Sequence, residues 1–399
     1  MRILIVANNL SQGGIQTSLL NLLKVISKDL NVEIDLFLFS DKSDLKKEIP
    51  QNINVIVGHY LLKLTAMSFK EVIATKKIVD IIIRGILIII ARICKPKKYF
   101  KLLFRREKNN KKYDYAISYF NDIPSSYFNK GATYYVLNNT HSSKKVGWIH
   151  TDIEKAKFNI QYYKDEYNDF DYIINVSKHC KEVYDKLIPE QKNKTFVVYN
   201  FFDIEGIRKK SLEMQNTIVK ENNKTIFITV ARIDNISKRI DKIIKIADRL
   251  VNENIKNFVW YIVGNGPDYY KIKQEINLRK LEDYIILLGS KQNPYPYIKA
   301  ADMFILTSDF EGFPMVVGES LCLEVPVLTT NYDSAKEQIS DGFNGFIVNN
   351  DENDIYQKIK KILRNNKIIT ELKNNIKKNT ISNDIAKQQF YNVFGETDE

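Results

Sequence analysis

Apolar residues are distributed along this chain in two alternating rhythms. Short β-branched or aromatic runs recur at 2–7, 33–39, 113–118, 145–149, 171–176, 195–199, 225–231, 258–263, 284–288, 303–307 and 326–329. None exceeds seven residues, and each reads as a buried strand. Between them, at 15–27, 178–187, 239–252, 267–279 and 315–323, apolar side chains recur every three or four positions, which predicts helices. In the first of these Ile15, Leu19, Leu20, Leu22 and Leu23 supply the apolar positions. Strands alternating with helices predict βαβ units and parallel sheets, an α/β fold. Eleven strands are more than one such sheet usually holds, so two Rossmann-like, doubly wound domains are expected. The chain's 399 residues suit two cores of ordinary size. The boundary is expected after Val197-Val-Tyr-Asn200, where a strand gives way to a charged stretch of weak periodicity, with 208–224 reading as a loop. The expected domains are therefore 1–199 and 200–375, with 376–399 a C-terminal helix packing back on the first.

Charge changes this picture in one place. The chain carries 60 Lys and Arg against 48 Asp and Glu, a formal charge of +12. Between Lys63 and Lys112 there are fifteen cations and three acids (Glu71, Asp80 and Glu107), so that segment holds the whole excess. Its Ile78–Ile93 stretch is rich in isoleucine, yet the longest uncharged piece, Gly85 to Ala91, falls far short of the ~20 residues that span a bilayer. On a helix Lys77, Asp80, Arg84, Arg92 and Lys95 form a polar stripe, expected to face solvent with Asp80 paired to Arg84. The following KPKKYFKLLFRREKNNKK mixes cations with aromatic and aliphatic residues. It predicts contact with an anionic membrane surface through Lys95, Lys97, Lys98, Lys101, Arg105 and Arg106. No RNA or DNA module is recognisable, so nucleic acid is not an expected partner. Three scattered cysteines imply no disulfide framework and a reducing, cytoplasmic setting. The apolar run after Met1 stops at Asn8-Asn9, too short for a secretory signal, and reads as a first strand.

In open α/β sheets ligands bind beyond the carboxyl ends of strands, at helix starts. There the stretch EGFPMVVGE, 311–319, places Glu311 in a loop, Pro314 at a first helical turn, and Glu319 about one turn further on. The Met315 and Val316 amides become free donors suited to a phosphate, and Glu319 is placed to accept two vicinal hydroxyls. Mere complementation of the helix dipole fits poorly, because one acid precedes the helix and the other lies past its first turn. Arg232 and Lys238, six residues apart on one loop, would clamp a diphosphate; a solvated basic loop is the plainer reading. Gly13-Gly14 opens the first helix and permits close approach of an anion or sugar. Neither that loop nor VGNGPDYY (263–270) has the spacing of a dinucleotide or P-loop motif. His150 ends a strand where ligands bind. No His, Cys and Asp spacing makes a metal site, and Asp169-Phe-Asp171 precedes a strand, as a turn would.

TSDFEGFPMVVGESLCLEVPVLTT resembles the EX7E region of retaining nucleotide-sugar glycosyltransferases of the two-domain GT-B fold, bacterial family four. The likeness extends to Gly13-Gly14, the strand ending in His150, INVSKHC, VVYNFFD, Arg232 with Lys238, VGNGP and DGFNGFIV, in family order. It implies two domains facing across a cleft, the first binding acceptor and the second a nucleotide-sugar, with a UDP-sugar expected. Arg232 and Lys238 would hold the donor diphosphate, Glu319 its ribose and Glu311 the transferred sugar, with His150 lining the transfer centre. Gly14, Gly264, Gly312, Phe313, Met315 and Val316 would complete the donor site. No cofactor or metal is implied; the expected acceptor is a glycan or lipid-linked glycan of the bacterial surface. Gln16 and Phe201 depart from the pattern, where many members have Glu and Gly. A sugar-nucleotide epimerase of the same shape, a glycosidase and a non-catalytic basic surface-binding protein are the rival readings.

Overall fold

The computed structural model describes residues 1–395 except 12, 42, 43, 68, 95, 108, 123–127, 129, 130, 214–217, 219–222 and 380. The chain divides into two compact units, Met1–Phe201 with the chain from Asp384, and Phe202–Asn383. The first contains β1 (Arg2–Ala7), β2 (Glu33–Leu38), β3 (Asn54–Val57), β4 (Lys112–Ser118), β5 (His141–Ile149), β6 (Tyr172–Asn175) and β7 (Thr195–Val197). They form one sheet in the order β3-β2-β1-β4-β5-β6-β7, parallel throughout. The second contains β8 (Thr225–Val230), β9 (Phe258–Val263), β10 (Ile285–Gly289), β11 (Met303–Leu306), β12 (Val327–Thr330) and β13 (Gly345–Val348), again parallel, ordered β10-β9-β8-β11-β12-β13. Helices cover both faces, which is why β9 is buried at every position and reads as a continuous apolar run. Strand order reverses between β1 and β4 in one sheet and between β8 and β11 in the other. Those two switch points are where a doubly wound sheet opens a crevice for ligand.

The helix Asp384–Phe394 belongs to the first unit. Phe394 meets Tyr115 edge to face at 5.0 Å, the Tyr391 hydroxyl donates to Asp29 at 2.6 Å, and the Tyr199 amide donates to Gln389 at 2.9 Å.

Two strands escape the sequence pattern, β3 and β13. Each has four residues and lies at a sheet edge, too short for a period to emerge and only half covered. The stretch read as a loop from 208 begins inside the helix Ile204–Lys210, whose Asp203 caps the Gly206 amide at 3.2 Å. The Lys63–Lys112 segment differs more. On the helix Ile78–Ile93 the middle of the polar stripe faces inward, Asp80 and Arg84 being only 7% and 6% exposed, whereas Lys77 and Arg92 at its ends stay exposed. The expected Asp80–Arg84 pair does not form. Asp80 instead accepts hydrogen bonds from the Tyr60 hydroxyl and, at 3.3 Å, from Thr75 Oγ1. Arg84 donates to the Met67 carbonyl at 3.0 Å and lies over the Phe128 ring. The aromatics of the next stretch also turn in. Tyr99, Phe100 and Phe104 are core residues, Phe100 stacking on Tyr134 at 5.4 Å, whereas Lys97, Lys98, Lys101, Arg105 and Arg106 are exposed. Lys95 lies outside the described residues.

Candidate active site

At the β8/β11 switch point two loops are joined. The loop after β8 folds around the buried Asp234, which accepts from the Ser237 amide at 2.7 Å, the Ser237 hydroxyl at 2.8 Å and the Lys238 amide at 3.3 Å. Burial pushes this carboxyl's pKa up, but the Ser237 and Lys238 bonds outweigh it and hold the group below its usual range. The loop after β11 then takes hold of the first. Thr307 Oγ1 donates to the Lys238 carbonyl at 2.9 Å and the Arg239 carbonyl at 3.1 Å, and the Asp309 amide donates to the Ser237 carbonyl at 2.8 Å. The Asp309 carboxylate meets Arg239 at 3.0 Å and Lys242 at 2.8 Å. Arg239 itself sits at φ 52°, a left-handed conformation unusual for a long side chain, just before the helix Ile240–Asn252.

This framework brings two predicted residues into contact: the Lys238 ammonium is ion-paired with the Glu311 carboxylate. Ser308 donates a second hydrogen bond to that carboxylate at 2.6 Å. Arg232 lies on the same loop with its side chain exposed and, among the described residues, in no ion pair. The loop carrying it is backed by the glycine loop after β9. Gly264 has φ +151°, and a Cβ there would meet the Ala231 carbonyl oxygen at 1.9 Å, so only glycine lets the two backbones approach. Beyond Glu311, Pro314 precedes the helix Met315–Cys322, whose first amides lack intrahelical partners. Gly312, Phe313 and Met315 are buried, so toward a ligand they offer backbone; Val316 is half-buried.

Glu319 lies inside that helix, 4% exposed, and accepts from the Tyr295 hydroxyl at 3.1 Å. Burial raises its pKa to about 7, against the opposing pull of Tyr295 and Lys210. Tyr295, Ser308 and Asp309 were not expected from sequence. Ser308 and Asp309 adjoin Glu311, but nothing local marks them as partners, and Tyr295 lies on a different helix, Tyr295–Ala300.

In the first unit, Gly14 begins the helix Gly14–Ile26 just beyond β1, in open space. His150 follows β5. Its Nε2 donates to the Tyr119 carbonyl at 2.8 Å, which leaves Nδ1 as the acceptor of a neutral ring. Packing around the ring lowers its pKa to about 3, the Tyr119 carbonyl opposing this, so it is uncharged at any ordinary pH. Beside it the Tyr119 hydroxyl and Ser18 Oγ lie 2.8 Å apart, and Ser18 donates to Asn200 at 2.7 Å, giving Asn200 a structural partner ahead of Phe201. Asp171 receives the Lys145 amide at 2.7 Å, in keeping with a turn.

Comparison with known proteins bears on this arrangement. A profile of the glycosyl transferases group 1 family matches residues 211–382. An uncharacterized glycosyltransferase of Methanocaldococcus jannaschii is 30% identical over 209 residues, 51% of this chain and 49% of that one. The N-acetylgalactosamine-N,N'-diacetylbacillosaminyl-diphospho-undecaprenol 4-alpha-N-acetylgalactosaminyltransferase of Campylobacter jejuni is 31% identical over 183 residues, 45% and 47% of the two chains. The chain thus spans about half the length of the curated relatives it matches. In fold, a mutant S. aureus TarM solved in complex with Fondaparinux, alpha-GlcNAc-glycerol and UDP aligns with a TM-score of 0.72 at 15% identity, covering 99% of this chain and 100% of that one. The two parallel-sheet α/β units are therefore those of the GT-B fold.

Proposed function

We propose, from the match of residues 211–382 to the glycosyl transferases group 1 family, that the chain is a retaining, metal-independent glycosyltransferase. It moves a hexosyl or N-acetylhexosaminyl group from a UDP-sugar to a glycan or lipid-linked acceptor in bacterial surface polysaccharide synthesis. The observation that carries this reading is the Lys238–Glu311 pair at the switch point of the second sheet, with the exposed Arg232 on the same loop. An ammonium has three donors, so Lys238 can keep Glu311 and still meet a phosphate oxygen. With Arg232 and the Met315 and Val316 amides it neutralises a leaving diphosphate, the task a metal performs elsewhere. Glu311 then accepts hydroxyls of the transferred sugar, and Glu319 those of the ribose.

In this reaction the bond from the anomeric carbon to the diphosphate breaks. The acceptor oxygen attacks on the same face, and its proton passes to the departing phosphate oxygen, so configuration is retained without a protein base. His150 takes the acceptor side of the proposal; its neutral ring serves through a hydrogen bond at Nδ1 rather than as an imidazolium. The diphospho-undecaprenol glycan named for the Campylobacter relative supports a lipid-linked acceptor, and the UDP bound by TarM supports the nucleotide.

The test is transfer by the full chain from a panel of UDP-sugars to lipid-linked glycans, with product linkage read by NMR. An axial donor bond should stay axial, and turnover should persist in EDTA. Glu311→Ala should cut turnover roughly a hundred- to a thousandfold while UDP affinity changes little, and Lys238→Ala should lower both. An inverted product, activity lost to EDTA, or free epimerised sugar released without acceptor would each overturn the reading.

A further inference from the structure

The helix Ile78–Ile93 in the first unit is amphipathic in the opposite sense to the rest of the fold. Its inward residues include Asp80 and Arg84, and its outward ones are Ile78, Val79, Ile82, Ile86, Ile89 and Ile93. At about 100° per residue those six positions share one arc of about 100°, opposite an arc of about 60° holding 80, 84, 87 and 91. Ile78 and Ile93, at the two ends, are 73% and 79% exposed. A continuous isoleucine face turned to solvent along sixteen residues is costly unless something covers it.

Charge decides what. The helix lies within the Lys63–Lys112 segment, fifteen cations against three acids, in a chain otherwise neutral. Lys76 and Lys77 precede it and Arg92 closes it; Lys97, Lys98 and Lys101 follow on the helix Pro96–Leu103, all exposed. A second copy meeting this face would bring an equal positive charge against it, an arrangement that repels. An anionic bilayer supplies both an apolar phase for the isoleucines and phosphate for the lysines. No helix among the described residues is long and apolar enough to cross a membrane, so such contact lies in the surface plane. We infer that the outward face of Ile78–Ile93 is a membrane-docking surface, embedding its isoleucines at the headgroup boundary of an anionic bilayer. This goes beyond contact by cations alone, because it makes the apolar face the main anchor. It also stands apart from the transfer reaction.

Vesicle co-sedimentation of the full chain, without donor or acceptor, tests it. The chain should bind phosphatidylcholine vesicles containing about 30% phosphatidylglycerol, and bind pure phosphatidylcholine at least tenfold more weakly. The triple variant Ile82→Gln, Ile86→Gln, Ile89→Gln should lose at least tenfold in binding to the anionic vesicles, with circular dichroism and melting temperature held near wild type. As a second readout, the indole of an Ile86→Trp variant should shift its emission to the blue on anionic vesicles and be quenched by brominated lipid. A triple variant that binds as wild type, an Ile86→Trp indole that stays in water, or a wild type that binds neither vesicle overturns the proposal. So does light scattering that shows wild-type dimers which the triple variant converts to monomers, with vesicle binding unchanged.

Discussion

At the scale of single residues, the buried Glu319 is the most sensitive part of the site. Burial raises its pKa from 4.5 to about 7. The unfolded chain releases that proton near 4.5 whereas the folded chain keeps it, so the native state binds more protons between those values. Stability contributed by this group is therefore full below about 4.5 and falls as pH rises to about 7, by about 3 kcal/mol in all. Comparing wild type with Glu319→Gln in thermal melts at pH 5 and pH 8 isolates the effect. The wild type should lose more melting temperature over that interval than the variant, and equal losses would refute the assignment. With Glu319 in its proposed ribose-binding role, UDP affinity of the wild type should rise through the same window, because only the ionised carboxylate can accept from both hydroxyls. The charged residues themselves were legible in the sequence, since Glu311, Lys238 and Arg232 flank predicted strand ends. Their supports were not. Ser308, Asp309 and Tyr295 acquire roles only through contacts that folding creates.

At the scale of elements, the short helix Met315–Cys322 carries Glu319 and the amides proposed to face the donor phosphate, and its seating depends on one glycine. A Cβ on Gly318 would approach the Phe202 ring to 2.1 Å. Gly318→Ala should therefore displace either the ring or the helix, costing about 1–3 kcal/mol and weakening UDP binding together. Chemical denaturation and calorimetric titration of the variant check both, and a variant that binds UDP as wild type would separate the helix position from the site. The helix Ile78–Ile93 shows where periodicity misleads. The pattern correctly divides its residues into two faces, but it does not say which face turns inward. Tyr60, Thr75 and the Met67 carbonyl supply polar partners inside, and that reverses the expected orientation.

At the scale of the whole molecule, the chain returns to its first unit after completing its second. Phe390, Val393 and Phe394 of the last helix are buried there, Phe394 lying 6.3 Å from Trp148. Ending the chain at residue 383 exposes the surface these three cover, each worth about 1.5–3 kcal/mol. The first unit should then melt about 10 °C lower or more. Trp148 fluorescence should shift to the red, while Trp260, buried in the other unit, reports no change. A truncated chain that melts as wild type would show this helix to be dispensable.

What the sequence determined by itself was set by local rules: the alternation that makes parallel sheets, the strands buried within them, and the placing of Arg232, Lys238 and Glu311 on loops that follow strands, with Glu319 in the helix after the last of them. These follow from side-chain period, propensity and turn chemistry, which act over a few residues. Tertiary structure alone decided the edge strands β3 and β13, the stapling of Lys238 to Glu311 through Thr307 and Asp309, the raised pKa of Glu319 and the lowered pKa of His150, and the outward turn of the isoleucine face. Each of these depends on which distant groups share a low-dielectric interior, and that is settled only when the sheets and helices pack.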